Sequence, residues 1–367
     1  MENKTTNGIE TSTRILILSD GKPGHYNQSL GIIDRLSNIY TETIQVKFKR
    51  KWRDNLIRVS SRLLGGIKLP DGFIKAMLTW GLDNSSTKSL LKTDKFDIIL
   101  STGSSVAPIN LLLGKLTGSK TVVCTRPSPL GIKHFDLALL PEHSRPIRIP
   151  KNVVMTFGVP NRITPESVEK AGTELSRQVS ISGNGVIGVL LGGDDPYYRI
   201  SNDMASRLCD ILLDVCKQVD ARIALTTSRR TDPEAESVIE SKLENNSYCC
   251  LFVSAKSNRQ GIVPGILGIS DITIVTEDSF SMVCESASSG KKVMILNVER
   301  KKGVHTKREK VYRLIVERGY ARRTDLPDLI IELLDYINDT SQPKALNDSQ
   351  IAADAVYQLL DTNITNE

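Results

Sequence analysis

The residues best suited to chemistry lie in loops that each follow a short apolar run of the chain. In an open parallel sheet, ligands bind beyond the carboxyl ends of the strands, where glycine turns and helix N-termini present backbone N–H groups to anions. The first such loop, 19–25, contains two glycines between Asp20 and His25, with Lys22 at its tip. His25 could act as a general base near neutral pH, and a structural or merely exposed histidine is an equal alternative.

Two further loops combine small residues with polar side chains. The loop at 101–105 offers hydroxyls and a helix N-terminus to a sugar or phosphate, or it simply supplies a helix N-cap. At 192–195, a pair of glycines could pass backbone N–H groups under a diphosphate. The two aspartates that follow them repel phosphate, so we expect them to cap the next helix or to meet hydroxyls and a neighbouring arginine.

Two loops in the second half of the chain carry the strongest signal for a nucleotide. At 226–231, Arg229 and Arg230 accompany four hydroxyls and could bind phosphate, with a structural salt bridge as the alternative. At 276–285, an apolar run ends in acidic and hydroxyl residues, and Glu285 lies two helical turns beyond Asp278. A carboxylate and an anion-binding helix N-terminus would therefore converge, which suits a ribose and a pyrophosphate.

Composition limits the class of protein. With 367 residues, the chain predicts two domains, and 40% hydrophobic with 25% charged residues is typical of globular proteins. Six cysteines without CxxC spacing are expected to be reduced, and four scattered histidines indicate no protein-held metal. No run of 18 apolar residues and no leader-like N-terminus are present, so we expect a cytoplasmic protein.

The positive charge is concentrated between residues 47 and 80. The chain has a net charge of +6, whereas this segment alone has nine basic and two acidic residues. Large apolar residues, including two tryptophans, are spaced between the charges. Such a segment suits an anionic membrane or a lipid-linked or acidic partner, and a solvated helical face over ordinary core is the alternative. Nucleic-acid binding is not expected, because no recognised motif accompanies the charge.

The elements that must position these loops alternate between short apolar runs and helical segments, which predicts parallel βαβ units. Predicted strands lie at 14–18, 97–100, 121–124, 137–140, 186–191, 222–226, 249–253, 271–275 and 293–296. Predicted helices lie at 27–36, 106–116, 165–178, 202–217 and 354–360. The predicted organisation is a disordered tail at 1–13, a first domain at 14–160, an interdomain connection at 161–184, a second domain at 185–345, and a terminal helix and tail at 346–367.

Several segments together resemble one family, the mitochondrial fission ELM1 family of bacterial and plant proteins. The segments are DGKPGHYNQSLGI (20–32), APINLLLGKLTG (107–118), TRPSP (125–129), LPEHSRP (140–146), GVPNRIT (158–164), LLGGDDPYYR (190–199), TTSRRT (226–231) and TEDSFSMVCESASSGKKV (276–293). They span nearly the whole chain in the family's order. The resemblance implies an α/β, GT-B-like fold with two Rossmann-like domains whose parallel sheets face each other across a cleft, the donor being held mainly by the second domain.

The resemblance also implies roles for individual residues. Glu285 would hold the ribose, while the arginine pair at 229–230 would offset the charge of the leaving nucleotide in place of a metal. The implied donor-binding residues are Gly192, Gly193, Thr227, Ser228, Arg229, Arg230, Glu277, Asp278, Ser279, Ser281 and Glu285. The implied catalytic residues are His25 and Asp20, and those on the acceptor side are Lys22, Gly24, Gly103 and Ser104. Two features depart from the family pattern, the acidic pair Asp194-Asp195 and the basic character of 47–80.

The sequence therefore predicts a metal-independent GT-B-type glycosyltransferase that needs no cofactor. It would move a sugar from a nucleotide-sugar to a lipid-linked or envelope-glycan acceptor at the inner face of a membrane, with segment 47–80 as the membrane contact. One alternative is a nucleotide-sugar epimerase or hydrolase of the same fold. Another is a non-catalytic membrane-associated adaptor.

Overall fold

The chain divides into two compact units in the computed structural model, which describes residues 12–257, 259–301 and 307–364. Unit 1 is Met1–Pro160 with Ser349–Glu367, and unit 2 is Asn161–Asp348. Most of the predicted tail at 1–13 lies outside the described residues, and Thr13 begins the first strand. The structure places the segment 161–184, expected to connect the domains, within unit 2.

Unit 1 is built on a six-stranded parallel sheet with the order β2-β1-β3-β4-β5-β6. Its strands are β1 (Thr13–Ser19), β2 (Ile39–Gln45), β3 (Ile98–Thr102), β4 (Lys120–Cys124), β5 (Leu137–Pro141) and β6 (Val153–Thr156). The central strands are near-continuous apolar runs, as expected for strands covered by helices on both faces. The sequence did not predict β2 or β6, because these edge strands are short or largely exposed and lack such a run.

Unit 2 repeats this architecture with the order β10-β9-β7-β11-β12-β14, again all parallel. Its strands are β7 (Gly185–Leu190), β9 (Ala221–Thr226), β10 (Cys249–Val253), β11 (Ile272–Thr276), β12 (Lys292–Leu296) and β14 (Arg322–Thr324). A separate antiparallel pair consists of β8 (Tyr198–Arg199) and β13 (Glu299–Arg300).

The helices of unit 1 are α1 (Pro23–Ile33), α2 (Lys51–Leu64), α3 (Asp71–Gly81), α4 (Asn84–Lys92) and α5 (Ala107–Thr117). Those of unit 2 are α6 (Pro165–Ser176), α7 (Asn202–Val219), α8 (Pro233–Leu243), α9 (Ile262–Ile269), α10 (Phe280–Ala287), α11 (Glu309–Glu317) and α12 (Leu329–Asn338). The last helix, α13 (Asp348–Ile364), returns to unit 1.

Alternation along β1 explains the two apolar layers of unit 1. Leu16 and Leu18 pack with Ile57 of α2 and with the buried side of α3 and α5. Ile15 and Ile17 point to the opposite face and pack with α1 and α13. The strand therefore fixes which helices cover each face, and its carboxyl end leads through the loop with Asp20 into α1, whose first turn contains His25.

Candidate functional site

In unit 1, an aspartate of the loop after β1 and a histidine in the first turn of α1 form a hydrogen-bonded pair. Nδ1 of His25 lies 2.9 Å from Oδ2 of Asp20, whose side chain is only 6% exposed. The N–H of Lys22 donates to Oδ1 of Asp20 at 3.1 Å, and its Nζ lies 3.2 Å from Oδ2. Burial raises the pKa of Asp20, but the hydrogen bond and charge of His25 outweigh it and hold the pKa below its ordinary value. Asp20 therefore stays ionised and orients the imidazole.

This geometry fixes the tautomer of a neutral His25. Because Nδ1–H donates to the carboxylate, Nε2 is the ring atom left to accept a proton. Nε2 has no hydrogen-bond partner in the described part of the chain, and the side chain is 29% exposed. Gly24, also predicted for this loop, lies exposed in the first turn of α1. The pair can take a proton at Nε2 and stabilise the imidazolium that forms.

The loop after β3 approaches the same imidazole. A Cβ at Gly103 would lie 2.6 Å from Nδ1 of His25, and the φ of Gly103 is +95°, so only glycine fits. The next residue, Ser104, accepts a hydrogen bond from Arg58 of α2 at 3.4 Å, and Arg58 pairs with Asp54 at 3.0 Å. The structure therefore places Gly103 against His25 and connects Ser104 to α2. Sequence reasoning missed this Asp54–Arg58 pair, since it was counted only as part of a charged segment.

In unit 2, the two glycines after β7 are held by neighbouring loops. The N–H of Gly192 donates to Oγ1 of Thr276 and that of Gly193 to Oδ2 of Asp278, both at 2.7 Å. A Cβ at Gly192 would lie 2.1 Å from the Asp278 carboxylate, and one at Gly193 would lie 2.1 Å from the backbone of Arg230. Close packing therefore explains both glycines. Because their N–H groups already have acceptors, the structure does not support the expectation that they hold a diphosphate.

Asp278 and Arg230 complete this network. The Asp278 side chain is fully buried, and its Oδ2 accepts from Nη2 of Arg230 at 2.9 Å. Nη1 of Arg230 donates to the carbonyl oxygens of Gly193 and Asp194. Burial raises the pKa of Asp278 above its ordinary value, although the hydrogen bonds from Gly193 and Arg230 lower it in part. Of the two alternatives predicted for Arg230, phosphate or salt bridge, the structure contains the salt bridge.

Glu277 is also committed within unit 2. Its side chain is 0% exposed and accepts from Arg300 at 3.0 Å and from Arg323 at 2.8 Å. Both arginines also contact Glu309. This network joins the loop after β11 to β13 and β14, which gives Glu277 a structural role in place of the predicted donor contact. The sequence did not identify these two arginines as important, because neither lies in one of the polar loops that were predicted to bind a ligand.

The loop after β9 separates into structural and free residues. Thr227 Oγ1 donates to Glu236 at 2.7 Å and accepts from the N–H of Ala255. Ser228 Oγ accepts from the N–H of Arg230. Arg229 is exposed and, within the described residues, makes neither an ion pair nor a side-chain hydrogen bond. Thr227 and Ser228 therefore shape the loop, and Arg229 is the guanidinium of this loop that can meet an anion.

The N-cap and the first two turns of α10 present three polar side chains that make no hydrogen bond within the described residues. Ser279 is the N-cap residue but makes no side-chain capping hydrogen bond. Ser281 and Glu285 lie four residues apart on one face, and all three are partly exposed. Within the described ranges, none of the three side chains has a hydrogen-bond partner. Burial raises the pKa of Glu285 to about 7. The group can accept hydrogen bonds from a diol, beside a helix N-terminus that attracts anions.

Other candidate chemistry is sparse in the described residues. They contain no group of three or more His, Cys, Asp or Glu placed to hold a metal ion, and His305 lies outside them. The six cysteines are free thiols, and burial raises the pKa of Cys209 and Cys216 to about 12. Among the helices described, none is both long enough and apolar enough to cross a membrane.

The two parallel six-stranded sheets, each covered by helices, define a GT-B-type fold. The chain belongs to the mitochondrial fission ELM1 family, whose model matches residues 23–360. Both findings confirm what the sequence motifs predicted. A curated relative is the mitochondrial fission protein ELM1 of Arabidopsis thaliana, 22% identical over 399 residues, which covers 93% of this chain and 91% of the relative.

Solved structures with a similar fold include two UDP-GlcNAc 2-epimerases. That of Methanocaldococcus jannaschii has a TM-score of 0.59 and 14% identity and covers 95% of this chain and 99% of its own. That of Neisseria meningitidis, bound to UDP-GlcNAc, has a TM-score of 0.51 and 15% identity and covers 96% of this chain and 100% of its own. At these identities the similarity establishes the fold.

Proposed function

We propose that the protein is a metal-independent GT-B-type glycosyltransferase that moves a sugar from a nucleotide-sugar to a lipid-linked or envelope-glycan acceptor. The observation that carries the proposal is the unused polar face of α10. Ser279 and Ser281 lie at the N-terminus of α10 and Glu285 one turn further along, beyond the carboxyl end of a parallel strand, where this type of fold places its ligands. The two solved structures named above are described as UDP-GlcNAc enzymes, one of them with that nucleotide-sugar bound, which supports the same ligand class.

Glu285 is the proposed ribose-binding residue. A partly buried carboxyl without a partner destabilises the fold, and such groups are concentrated at functional sites. Its four-residue spacing from Ser281 allows one ligand to meet both side chains along the face. Ribose hydroxyls would donate to the carboxylate and supply the hydrogen bonds that the protein itself does not provide. The diphosphate would then meet Ser279 and Ser281, while Gly192 and Gly193 position the neighbouring loop.

Arg229 is the proposed substitute for a metal ion. The leaving nucleotide gains negative charge when the bond between the sugar and its diphosphate breaks, and a guanidinium beside the diphosphate stabilises that charge. Arg230 does not serve this purpose, because it is bound to Asp278. The ion pair between Arg230 and the buried Asp278 instead fixes the loop that carries Arg229.

The Asp20–His25 pair is the proposed general base. Nε2 of His25 would take the proton of the acceptor hydroxyl, and the ionised Asp20 would stabilise the resulting imidazolium. Lys22, the N-cap residue of α1, and Gly24 in its first turn are proposed to contact the acceptor. Gly103 lets the imidazole lie close to the backbone of the loop after β3, which restricts its orientation. The base is therefore held on two sides before the substrate binds.

The surface of α2 and α3 is the proposed contact with an anionic membrane. Along α2, four apolar side chains at helical spacing are exposed: Trp52, Leu56, Val59 and Leu63. Trp80 of α3 extends this stripe, because its ring lies 5.4 Å from that of Trp52, and Phe73 is exposed on the same helix. Exposed basic residues flank the stripe at Lys51, Arg62, Lys68 and Lys75. Apolar insertion combined with positive charge suits an anionic bilayer and would bring the enzyme to a lipid-linked acceptor.

Nucleotide binding tests the donor site directly. Purified protein would be screened by thermal shift against UDP, GDP, CMP and their sugar conjugates, since a ligand specific for the native state raises its stability by about 2.7 kcal/mol at 100 times Kd. We expect one nucleotide family to raise the Tm of the wild type. Glu285→Ala should lose that shift, whereas Glu240→Ala, which removes an exposed glutamate of α8, should keep it. If no nucleotide raised the Tm of the wild type, the proposed donor site would be wrong.

A nucleotide-sugar epimerase or hydrolase is the second candidate, favoured by the names of the solved structures with this fold. Incubation of the donor without any acceptor distinguishes it, with the products followed by NMR. A transferase leaves the donor largely intact until an acceptor is added. Rapid epimerisation or cleavage of the donor alone would replace the transferase proposal. A non-catalytic adaptor would bind membranes but no nucleotide, so the thermal-shift screen separates it from both enzymes.

A further inference from the structure

Unit 1 contains an open cavity that the proposed donor and base residues do not use. Its volume is about 490 Å³, and it is lined by the loop between β4 and β5 together with the end of α2. The principal lining side chains are Arg62, Arg126, Ser128, Leu130, Lys133 and His134. The loop begins with the TRPSP segment, to which the proposed function assigns no role.

The lining of this cavity is strongly positive. Arg62, Arg126 and Lys133 are exposed, and within the described residues none of the three makes an ion pair. No aspartate or glutamate contributes to the lining. The pKa of His134 is lowered first by burial and then by the positive charges of Lys133 and Lys115. Three uncompensated cations around one cavity attract an anion and, for two of them, offer the guanidinium forks that bind phosphate oxygens in pairs.

Backbone contacts hold the cavity in shape. The N–H of Ser128 donates to the carbonyl of Arg126 at 2.9 Å, and that of Gly131 donates to Pro127 at 3.2 Å. The ring of His134 packs so closely on Gly65 that a Cβ there would lie 2.8 Å from it. Gly65 directly follows α2, so this contact fixes the helix end that carries Arg62 beside the loop. The cations are therefore presented by a held loop and a helix end.

The cavity lies at the strand edge that also carries the proposed base. It follows the carboxyl end of β4, next to β3 in the sheet, and the N–H of Gly103 donates to Cys124 at the end of β4. Gly103 in turn packs against His25. The loops after β1, β3 and β4 are thus contiguous, and a ligand in the cavity would share this edge with His25.

We propose that this cavity binds a phosphate or diphosphate group of the acceptor substrate through Arg62, Arg126 and Lys133. That the ligand is the acceptor rests on the proposed function. That the ligand is a phosphate or diphosphate rests on the lining of the cavity alone. A prenyl-type diphosphate combines the anion that the cavity attracts with the apolar chain that the stripe on α2 would accommodate. The cavity would hold the acceptor's anionic end while the apolar part stays at the membrane surface.

Calorimetric titration of the full-length protein tests the site with two probes, inorganic pyrophosphate and geranyl diphosphate. The variant R62Q/R126Q/K133Q removes three charges from the cavity. The matched control K88Q/K92Q/K95Q removes three exposed lysines from α4 and the turn after it, with the same change in net charge. We expect the cavity variant to bind both probes at least about tenfold more weakly than the wild type, and the control to bind within about twofold. Equal weakening in both variants, or no binding of either probe to the wild type, would overturn the proposal.

A vesicle arm separates a bound diphosphate from general attraction to lipid. Binding to phosphatidylglycerol vesicles, measured by sedimentation, should be somewhat weaker for the cavity variant than for the control, because Arg62 also flanks the exposed stripe on α2. Loss of vesicle binding in the cavity variant with unchanged pyrophosphate binding would overturn the site, since the three cations would then serve only the bilayer. Nucleotide-induced thermal shifts in the cavity variant should match the wild type. The pyrophosphate site therefore stands or falls independently of the donor site at Glu285.

Discussion

At the residue scale, the roles of the acidic side chains around α10 depend on which of them the protein neutralises. Glu277 and Asp278 are fully buried and are bound by arginines from other loops and strands of unit 2. Glu285, seven residues beyond Asp278, has no partner in the described residues. The first two stabilise the fold, whereas Glu285 is available to a ligand at some cost in stability.

Replacing Glu285 by glutamine should make the protein more stable at alkaline pH. Burial raises the folded-state pKa from 4.5 to about 7, so the folded state holds this proton more tightly than the unfolded chain. Stability contributed by the protonated group is therefore full below pH 4.5 and is lost as pH rises to about 7. Above that pH we expect Glu285→Gln to gain about 2 kcal/mol, less than the full shift implies, because the side chain is partly exposed.

Thermal unfolding without nucleotide, at pH values above and below this window, measures the effect. Glu240→Gln is the matched control, because its carboxyl is exposed, and its Tm should follow the wild type at both pH values. A Glu285→Gln variant no more stable than the wild type above pH 7 would mean that Glu285 has a partner in solution.

Replacing Asp20 by asparagine should lower turnover with little effect on nucleotide affinity. The amide cannot stabilise an imidazolium as the ionised carboxylate does, so the proposed base becomes weaker. A general base contributes about 100-fold to 10,000-fold, and we expect a loss at the lower end of that range. The measurements are kcat for sugar release or transfer and Kd for the nucleotide. The control is Asp94→Asn, which alters an exposed aspartate of unit 1 and should change neither quantity. Full activity in Asp20→Asn would show that the Asp20–His25 pair is not the general base.

At the element scale, glycines set how closely segments approach in unit 2. Gly172 of α6 faces Gly268 of α9, and a Cβ on Gly172 would lie 2.6 Å from the backbone of Gly268. α6 belongs to the segment that the sequence assigned to an interdomain connection, yet this contact fixes it firmly against α9. The glycine pair was not recognised in the sequence, because two isolated glycines 96 residues apart in the chain carry no pattern.

Gly172→Ala should therefore destabilise unit 2 strongly. A methyl group would push against backbone atoms, which cannot move aside as a flexible side chain can, and we expect a loss of about 3 kcal/mol. Gly72→Ala in α3 is the contrasting substitution, because a Cβ there meets nothing within 4 Å, and alanine should stabilise that helix by about 0.5 kcal/mol. The Tm of the two variants should move in opposite directions. A similar rise in both would show that α6 and α9 are separated in solution.

At the scale of the whole molecule, charge and exposed apolar area coincide on one surface of unit 1. Leu63 is 74% exposed on α2, and the segment at 47–80 carries a larger positive surplus than the entire chain. The buried residues of the same segment, such as Ile57 and Leu78, belong to the core. The segment therefore has both of the features that were predicted as alternatives. One side packs into the core, and the other side exposes apolar residues to solvent.

The outer side should bind anionic vesicles. Leu56→Gln combined with Leu63→Gln removes apolar area without changing charge, and we expect binding at least about tenfold weaker in a flotation assay. The control is Ile147→Gln combined with Ile331→Gln, two exposed isoleucines outside that surface. Equal binding by both double variants would leave the stripe without a membrane role.

The sequence by itself determined the fold class, the family and most of the central strands. Buried parallel strands need near-continuous apolar runs, and loops with glycines and polar side chains must follow them, so both leave local patterns that can be read directly. It also placed Asp20 in the loop after β1 and Glu285 in the helix after β11, whereas His25, predicted in the same loop as Asp20, lies in the first turn of α1. The edge strands β2 and β14 left no such pattern, because an edge strand needs fewer apolar residues.

Only the tertiary structure decided which polar groups are free. Glu277 precedes α10 and Glu285 lies in its second turn, and no local pattern shows which of the two carboxylates the protein neutralises. The arginines that bind Glu277 come from positions 23 and 46 residues away in the sequence. The glycines at 192–193, which resemble a phosphate loop, pack instead against side-chain and backbone atoms of distant loops. Availability for a ligand depends on what distant segments bring to each group, and that is settled only when the chain is packed.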